Sequence, residues 1–329
     1  MWRFVARLRR QASRFTGLGQ RLPIDRPAAP RYRVLEMASE PPALPATLGG
    51  QAVVEGVMIR GPKGAAVCVR KPDGELAYRT DRTEIASGAL RRIPVLRGVA
   101  MLGDTMSQGM RAMIWSAQIA AGIEPDEPDK NSLRATMALS IGAVSALFML
   151  APAAATRRIE GRIKNPRLAA IVEGVARVGM LVGYLRAIGR MPQAQRLFGY
   201  HGAEHRAIQA YEAGEPLEIE SLHHFSNAHV RCGTSFLLTT MLVSSLLYAT
   251  LGPQPLGRRL LLRLALLPLV AGLSYEAIRL GSAAQNGPLR VLFGPNMALQ
   301  SLTTRDPDEP QMEVALAALR AAIVLHQQA

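Results

Sequence analysis

The sequence predicts a polytopic α-helical membrane protein with a small N-terminal β-containing soluble head. Two long apolar runs carry most of this prediction: residues 135–156 and 232–257 each extend for more than 20 residues without a charged side chain. Arginines bracket both runs, and each is long enough to cross a bilayer as a helix. The composition, 49% hydrophobic and 19% charged, excludes a disordered protein. Two cysteines in distant parts of the chain exclude a disulfide-stapled secreted fold.

Two weaker segments are predicted to be further spans. Each contains an acid and an arginine one turn later: Glu173 with Arg177 in residues 168–188, and Glu276 with Arg279 in residues 264–280. Because an unpaired charge is costly inside a bilayer, these acids are expected to be paired. We predict two to four spans in the cell inner (plasma) membrane, with the lipid bilayer as a partner. The basic excess before the first span favours a cytoplasmic N-terminus.

The first 33 residues are strongly basic, with nine arginines and a single acid, Asp25. On a helix, arginines and apolar side chains would occupy opposite sides, which predicts an amphipathic helix lying on an anionic lipid surface. A targeting peptide is an alternative, since such peptides are also Arg-rich and poor in acids. A nucleic-acid-binding tail explains the apolar side least well, so no nucleic-acid partner is expected.

The chain is expected to divide into four regions. These are a basic amphipathic leader and linker (1–47), a small α+β head (48–132), a helical membrane domain (133–299) with a His-rich segment (199–235), and a C-terminal helix (300–329). In the head, the sequence Lys-Pro-Asp-Gly-Glu at 71–75 predicts a turn between antiparallel strands, because proline fixes φ and glycine tolerates positive φ. Helices are predicted at 97–119 and 309–326.

Five of the six histidines lie between positions 201 and 229, so chemistry is sought there first. His201, Glu204 and His205 form the pattern H-x-x-E-H. On a helix, the i, i+4 spacing points both imidazoles to one side, where they can share a zinc ion, and Glu204 can serve as the general base. A single match of this length is more often a helix carrying surface histidines that bind nothing.

His229 and Cys232 extend this pattern to H-x3-H-x23-H-x2-C. Four protein ligands around zinc would make a closed structural site, and three with an open position would make a catalytic one. The sequence does not choose between them. Glu173 is equally compatible with a structural ion pair and a catalytic role. Glu55, an acid in an apolar stretch, is either an edge-strand charge or a functional acid.

Four ordered motifs carry a resemblance to a known family. They are GGQAVVEGVMIRGP at 49–62, YHGAEH at 200–205, HVRCGTSF at 229–236 and LTTR at 302–305. The chain resembles the YqhQ family of bacterial membrane proteins over residues 49–319. That resemblance implies a metal-dependent enzyme of unknown function. It points to these positions as functional candidates: Glu55, Glu173, His201, Glu204, His205, His229, Arg231 and Cys232. Arg206 and Val230 stand where lysine and proline are expected.

Two functions from different classes are compatible with these residues. The first is a zinc-dependent hydrolase at the cytoplasmic membrane face, with zinc held by His201 and His205 together with His229 or Cys232. The second is a noncatalytic membrane factor that assists the biogenesis or assembly of other membrane proteins, which would be its partners. In that case a structural metal or a hydrogen-bonded histidine cluster braces the loop. Transport along Glu173 and Glu276 is weaker, because no internal repeat is found.

Overall fold

The structure is a computed structural model that describes residues 48–82, 93–125, 130–145, 147–148, 151–152, 163, 165–229, 232–252, 254–283 and 294–327. It contains four strands: β1 (Gly49–Val53), β2 (Gly56–Gly61), β3 (Gly64–Arg70) and β4 (Leu76–Arg82). The described helices are α1 (Leu96–Ala120), α2 (Lys130–Ser145), α3 (Pro166–Ile188), α4 (Pro192–Ala213), α5 (Ile219–Leu222), α6 (Gly233–Ala249), α7 (Leu256–Ala265), α8 (Leu267–Ala283), α9 (Gly294–Gln300) and α10 (Glu309–Gln327).

The strands form an antiparallel meander in the order β1-β2-β3-β4, which confirms the predicted antiparallel unit. Short connections set its register, because Val53 faces Gly56 across the first hairpin. The predicted turn at 71–75 closes the last hairpin: the amide of Lys71 donates to the carbonyl of Glu75 at 2.9 Å, and Gly74 has a φ of 90°. Glycine is favoured there because other residues rarely adopt that conformation.

Both faces of this sheet are buried. Val57, Ile59 and Cys68 belong to a core formed with α4 and α10, whereas Met58 and Val67 belong to a second core formed with α1. Successive side chains of a strand point to opposite faces, so neighbouring residues supply the two cores in turn. The head is therefore a sheet covered by helices on each side, and two of these helices come from later in the chain.

Helix α10 provides most of the cover on one face. It begins at Glu309 and ends at Gln327, close to the predicted 309–326, so that prediction is confirmed. Its buried residues run almost throughout the helix, and Met312 and Leu319 are completely buried against the sheet. The C-terminal helix is thus part of the core of the head.

The remaining helices pack on one another. Leu181 of α3, Leu238 of α6 and Leu299 of α9 share a third apolar core. Helix α8 packs against α6 and also against α1, where the guanidinium of Arg97 binds the carboxylate of Glu276 through Nε at 2.6 Å. That ion pair joins the helical part to the first helix of the head.

The predicted polytopic membrane architecture is wrong for the part of the chain that the structure describes. No single described helix is both long enough and apolar enough to cross a bilayer. One bent pair reaches the required length and composition together, with 49° between residues Gly257–Ala265 of α7 and Leu267–Leu280 of α8. The predicted membrane location and lipid and protein partners are not tested by this finding and stay predictions.

Each predicted span differs from a straight apolar helix in a specific way. The run 232–257 gives the 17-residue helix α6, which is about 26 Å long and shorter than the roughly 30 Å of hydrocarbon in a bilayer. The run 264–280 bends at Leu266, between α7 and α8. The described part of 135–156 includes the end of the 16-residue helix α2. Helix α3 is longer but carries a buried ion pair, Glu173 with Arg177, in its middle. The leader and linker, residues 1–47, lie outside the described residues.

Replacing Leu319 of α10 with alanine should destabilise the protein by about 2–5 kcal/mol, because the side chain is completely buried and its removal leaves a cavity. Leu139→Ala is the matched control, since the Leu139 side chain is 76% exposed, and it should change the free energy of unfolding by less than about 0.5 kcal/mol. Urea unfolding followed by circular dichroism measures both. Equal losses in the two variants would contradict the described core.

Candidate metal centre

Helix α4 supplies three of the candidate residues. It begins at Pro192, whose fixed φ suits a first helical residue, and its C-terminal cap is Gly214 in the left-handed region, with a φ of 73°. Within it, His201 and His205 are one turn apart, and their ring centroids are 4.4 Å apart. The predicted placement of both imidazoles on one side of a helix is therefore observed.

Both imidazoles are oriented by backbone carbonyls. Nδ1 of His201 lies 2.8 Å from the carbonyl oxygen of Thr303, and Nδ1 of His205 lies 2.5 Å from that of Asn227. A carbonyl only accepts, so each Nδ1 carries the proton and donates it. Each Nε2 is then left as a lone-pair donor, the arrangement that is usual for histidines that bind metals.

Cys232 brings a thiol to the same place from the N-cap of α6. Its Sγ lies 3.2 Å from Nε2 of His201 and accepts a hydrogen bond from the amide of Thr234 at 3.4 Å. One ligand atom each from His201, His205 and Cys232 all lie within 4.8 Å of one another. Ligand atoms of a tetrahedral zinc site are about 3.3–3.6 Å apart, given the usual Zn–N and Zn–S lengths. We call these three residues the ligand group. The donor set, two imidazoles and a thiol, fits zinc with a small adjustment.

Glu204 lies beside the ligand group in a site that is almost closed to solvent. Its side chain is buried, and its Oε2 is 3.6 Å from Nε2 of His205. Burial raises the pKa of Glu204 to about 8. A carboxyl with a pKa close to neutrality is suited to accepting and returning a proton.

Burial decides the protonation states of two members of the ligand group, His205 and Cys232. Burial lowers the pKa of His205 to about 3, which leaves its imidazole neutral at physiological pH. Burial also raises the pKa of Cys232, so the thiol keeps its proton. A cation between these atoms would favour the thiolate and the carboxylate of Glu204, because opposite charge stabilises an ionised acid. His205 and Cys232 are therefore neutral in the absence of a cation, and Cys232 and Glu204 can ionise around one.

His229, the fourth predicted ligand, lies next to the ligand group and outside it. Its ring centroid is 5.6 Å from that of His205, and its Nε2 faces Oε2 of Glu212 at 3.4 Å. Its backbone is fixed by Gln300, whose side chain accepts from the His229 amide and donates to the His229 carbonyl, both at 2.8 Å. His223 and His224 are exposed. Arg231 lies outside the described residues.

Glu55 and Glu173, the two other predicted catalytic acids, have different partners. Glu55 occupies the β1–β2 turn with a φ of 52°, and its carboxylate is bound by Arg196 at 2.5 and 2.6 Å and by the Tyr200 hydroxyl at 3.2 Å. It thus ties the hairpin to α4, one turn before the ligand group. Glu173 is bound by arginines of α3 and α7. Neither carboxylate has a described contact with the ligand group.

Sequence reasoning missed the residues that hold the histidines in place. The carbonyl of Asn227 is positioned by its own side chain, which accepts from Nε of Arg206 at 2.8 Å and donates to Asp306 at 2.8 Å. Arg206 also donates to Asp306 at 2.7 Å, which closes the network. Thr303 belonged to a quoted motif but had no assigned role, because a backbone carbonyl leaves no mark on residue type.

Gly50 of β1 is another residue whose role was not predicted from the sequence. Substituting it tests whether β1 packs directly against Glu204. A Cβ built on Gly50 would clash with Oε1 of Glu204, whereas one built on the neighbouring Gly49 meets no atom within 4 Å. Gly50→Ala should therefore lower the free energy of unfolding by about 1–3 kcal/mol. Gly49→Ala, the control, should stay within about 0.5 kcal/mol of wild type. Similar urea midpoints for both variants would show that β1 does not press on Glu204.

Comparison with known proteins identifies the family. A family model described as "Protein of unknown function (DUF1385)" matches residues 93–325, which include the ligand group and Glu204. The chain is 32% identical over 295 residues to "Uncharacterized protein YqhQ" of Bacillus subtilis (strain 168), an alignment that covers 83% of this chain and 91% of that protein. No solved structure matches the chain. The two matches confirm the resemblance found in the sequence: the chain belongs to the YqhQ (DUF1385) family.

Proposed function

We propose that the chain is a zinc-dependent hydrolase in which the ligand group holds the metal and Glu204 is the general base. The observation that carries this proposal is the convergence of one ring nitrogen each from His201 and His205 with Sγ of Cys232, beside a buried carboxyl. The mixture of imidazole and thiolate favours a borderline or soft metal such as zinc over calcium or magnesium.

The number of protein ligands supports a catalytic site. Three protein ligands are typical of catalytic zinc, whereas structural zinc has four. His229 is turned towards Glu212, so the described geometry offers three. Zinc held in this way supplies a Lewis acid and lowers the pKa of water.

The residues around the proposed metal site each have a separate role. The carbonyls of Thr303 and Asn227 keep the imidazoles in the tautomer that binds a cation. Glu204 accepts a proton from the attacking water and returns it to the leaving group, a role for which its burial and its position next to His205 suit it. Gly50 allows β1 to close over that carboxyl.

A noncatalytic role is the second candidate, and one observation favours it. Glu204, His205 and Cys232 are all more than 90% buried. A bound cation would therefore brace α4 against the start of α6, which is what a structural metal does. The two candidates agree on the ligands and differ on whether Glu204 performs chemistry.

Metal analysis of the full-length purified protein tests the part that both candidates share. Wild type should contain about one zinc ion per chain. His201→Ala, His205→Ala and Cys232→Ser should each lower the stoichiometry or weaken zinc affinity by at least about tenfold, because each removes one of only three protein ligands. Inductively coupled plasma mass spectrometry gives the stoichiometry, and competition with a chromophoric chelator gives the affinity.

Two control variants sharpen this measurement. His223→Ala removes an exposed histidine from the same segment and should leave zinc unchanged. His229→Ala should retain zinc, since its ring nitrogen is directed at Glu212. Wild-type protein that takes up no zinc would contradict the proposal, and loss of zinc from His229→Ala would contradict the three-ligand assignment.

The catalytic assignment is tested by Glu204→Gln, which keeps the shape of the side chain and removes its basicity. This variant should retain zinc and lose at least about 100-fold in hydrolysis rate, the usual contribution of a general base. The assay compares zinc-loaded wild type with the variant on a panel of peptide, ester and amide substrates. Glu215→Gln, an exposed acid just beyond the same helix, is the control. Equal rates for Glu204→Gln and wild type would favour the bracing role.

A further inference from the structure

A second cluster of charged side chains lies away from the ligand group, where α3, α6 and α7 meet. Glu173 of α3 is bound by Arg177 at 2.7 Å, by Arg263 at 2.6 and 2.7 Å, and by Arg259. Tyr248 of α6 packs against two of these arginines. The guanidinium carbons of Arg263 and Arg177 lie 4.7 and 5.6 Å from its ring centroid. We call the three arginines with Glu173 the arginine cluster.

The buried charges of this cluster do not balance. The side chains of Arg177 and Arg263 are 5% and 3% exposed, and within the described part of the chain their only carboxylate partner is Glu173. Even without counting Arg259, two positive charges share one negative charge in a buried site. Buried charge is strongly disfavoured unless it is paired, and an aromatic face compensates only part of it. The cluster therefore has a positive potential that favours an anion.

An unsatisfied donor gives the same indication independently. Nε of Arg177 is buried and has no hydrogen-bond acceptor among the described residues. Its Nη1 uses the hydroxyl of Ser244 at 3.1 Å, and that hydroxyl in turn donates to the carbonyl of Met241. Buried guanidinium donors are normally satisfied, so one without a partner marks a position that an acceptor can fill.

We propose that the arginine cluster binds an oxyanion of the phosphate type. Guanidinium groups present parallel N–H donors that match phosphate oxygens, and several converging arginines are typical of phosphate recognition. Arg259, with a side chain that is 23% exposed, connects the buried arginines with the protein surface and provides the side from which the anion enters. This site is separate from the ligand group and does not depend on zinc.

The phosphate has two possible sources with the same chemistry: free phosphate and a lipid headgroup. The lipid source is included because apolar side chains are exposed on the helices that carry the cluster, namely Ile171 and Val175 of α3 and Leu261 of α7. Inorganic phosphate and vesicles containing phosphatidic acid distinguish the two sources.

The first experiment measures thermal unfolding of the full-length purified protein as inorganic phosphate is added, against sodium chloride at equal ionic strength. Binding to the folded state raises the unfolding temperature by mass action, with a dependence that saturates. The second measures co-sedimentation with phosphatidylcholine vesicles, with and without phosphatidic acid. The Arg-rich residues 1–33 are present in every variant, so only differences between variants report on the cluster.

Three variants test the assignment. Arg259→Gln, at the partly exposed edge, should weaken phosphate or phosphatidic acid binding at least tenfold. Arg186→Gln removes an exposed arginine from the last turn of α3 and should leave binding unchanged. Glu173→Gln is decisive, because it removes the anion that competes for the same donors. It should bind phosphate at least as tightly as wild type, and phosphate should produce a larger rise in its unfolding temperature.

Each outcome has a defined meaning. A phosphate effect without a preference for phosphatidic acid vesicles supports the site with free phosphate as its ligand. A preference for phosphatidic acid that is lost in Arg259→Gln supports the site with a lipid phosphate. The proposal is overturned if neither probe binds wild type, if Arg259→Gln binds like wild type, or if Glu173→Gln is destabilised and phosphate does not restore it. The last result would show that the arginine cluster is only an internal ion-pair network and binds no anion.

Discussion

The candidate centre depends on two hydrogen bonds from histidine Nδ1 to backbone carbonyls. The carbonyl of Thr303 orients His201 and that of Asn227 orients His205, and one ring nitrogen of each lies within 4.8 Å of the other and of Sγ of Cys232. Free imidazoles on a helix surface would sample several rotamers and both tautomers. Fixing each ring from the backbone removes that freedom before a cation arrives, which is how a binding site avoids an entropic cost on binding.

The fold supplies these carbonyls from parts of the chain that are distant in sequence. The 300–305 turn lies against α4 because residue 202 is glycine: a Cβ there would clash with the carbonyl oxygen of Arg305. Helix α10 follows this turn and is held on the sheet by its buried side chains. The sheet core, the C-terminal helix and the ligand group are therefore mechanically connected. Disruption of that core is expected to change the geometry of the candidate metal centre as well as to lower the stability of the protein.

Local patterns in the sequence were sufficient for local structure. Proline followed by Asp-Gly predicted the turn at 71–75 between antiparallel strands, and the predicted helices 97–119 and 309–326 agree closely with α1 and α10. The H-x-x-E-H spacing likewise predicted that His201 and His205 share one side of a helix. These features depend on neighbours within a few residues, so single-sequence reasoning captures them.

Features that depend on tertiary contacts were not predictable. Apolar composition indicated membrane spans, but it does not encode where a helix ends or bends, as at Ala249 and Leu266. Which of His229 and Cys232 faces the α4 pair is decided by the conformation of the preceding loop, and Gln300 fixes that conformation from far away in the chain. The carbonyls that orient the histidines have no side-chain signature. The pairing of Glu173 with two arginines of α7 likewise required the folded chain.

The most direct test of the account is X-ray absorption spectroscopy at the zinc K-edge on the purified, zinc-loaded full-length protein. Convergence of two imidazoles and one thiolate predicts one sulfur neighbour at about 2.3 Å and lighter neighbours at about 2.0–2.1 Å, with the outer-shell pattern of two imidazole rings. Cys232→Ser should remove the sulfur signal alone. A zinc ion surrounded only by nitrogen and oxygen in the wild type would show that Cys232 does not meet the α4 histidines around one cation.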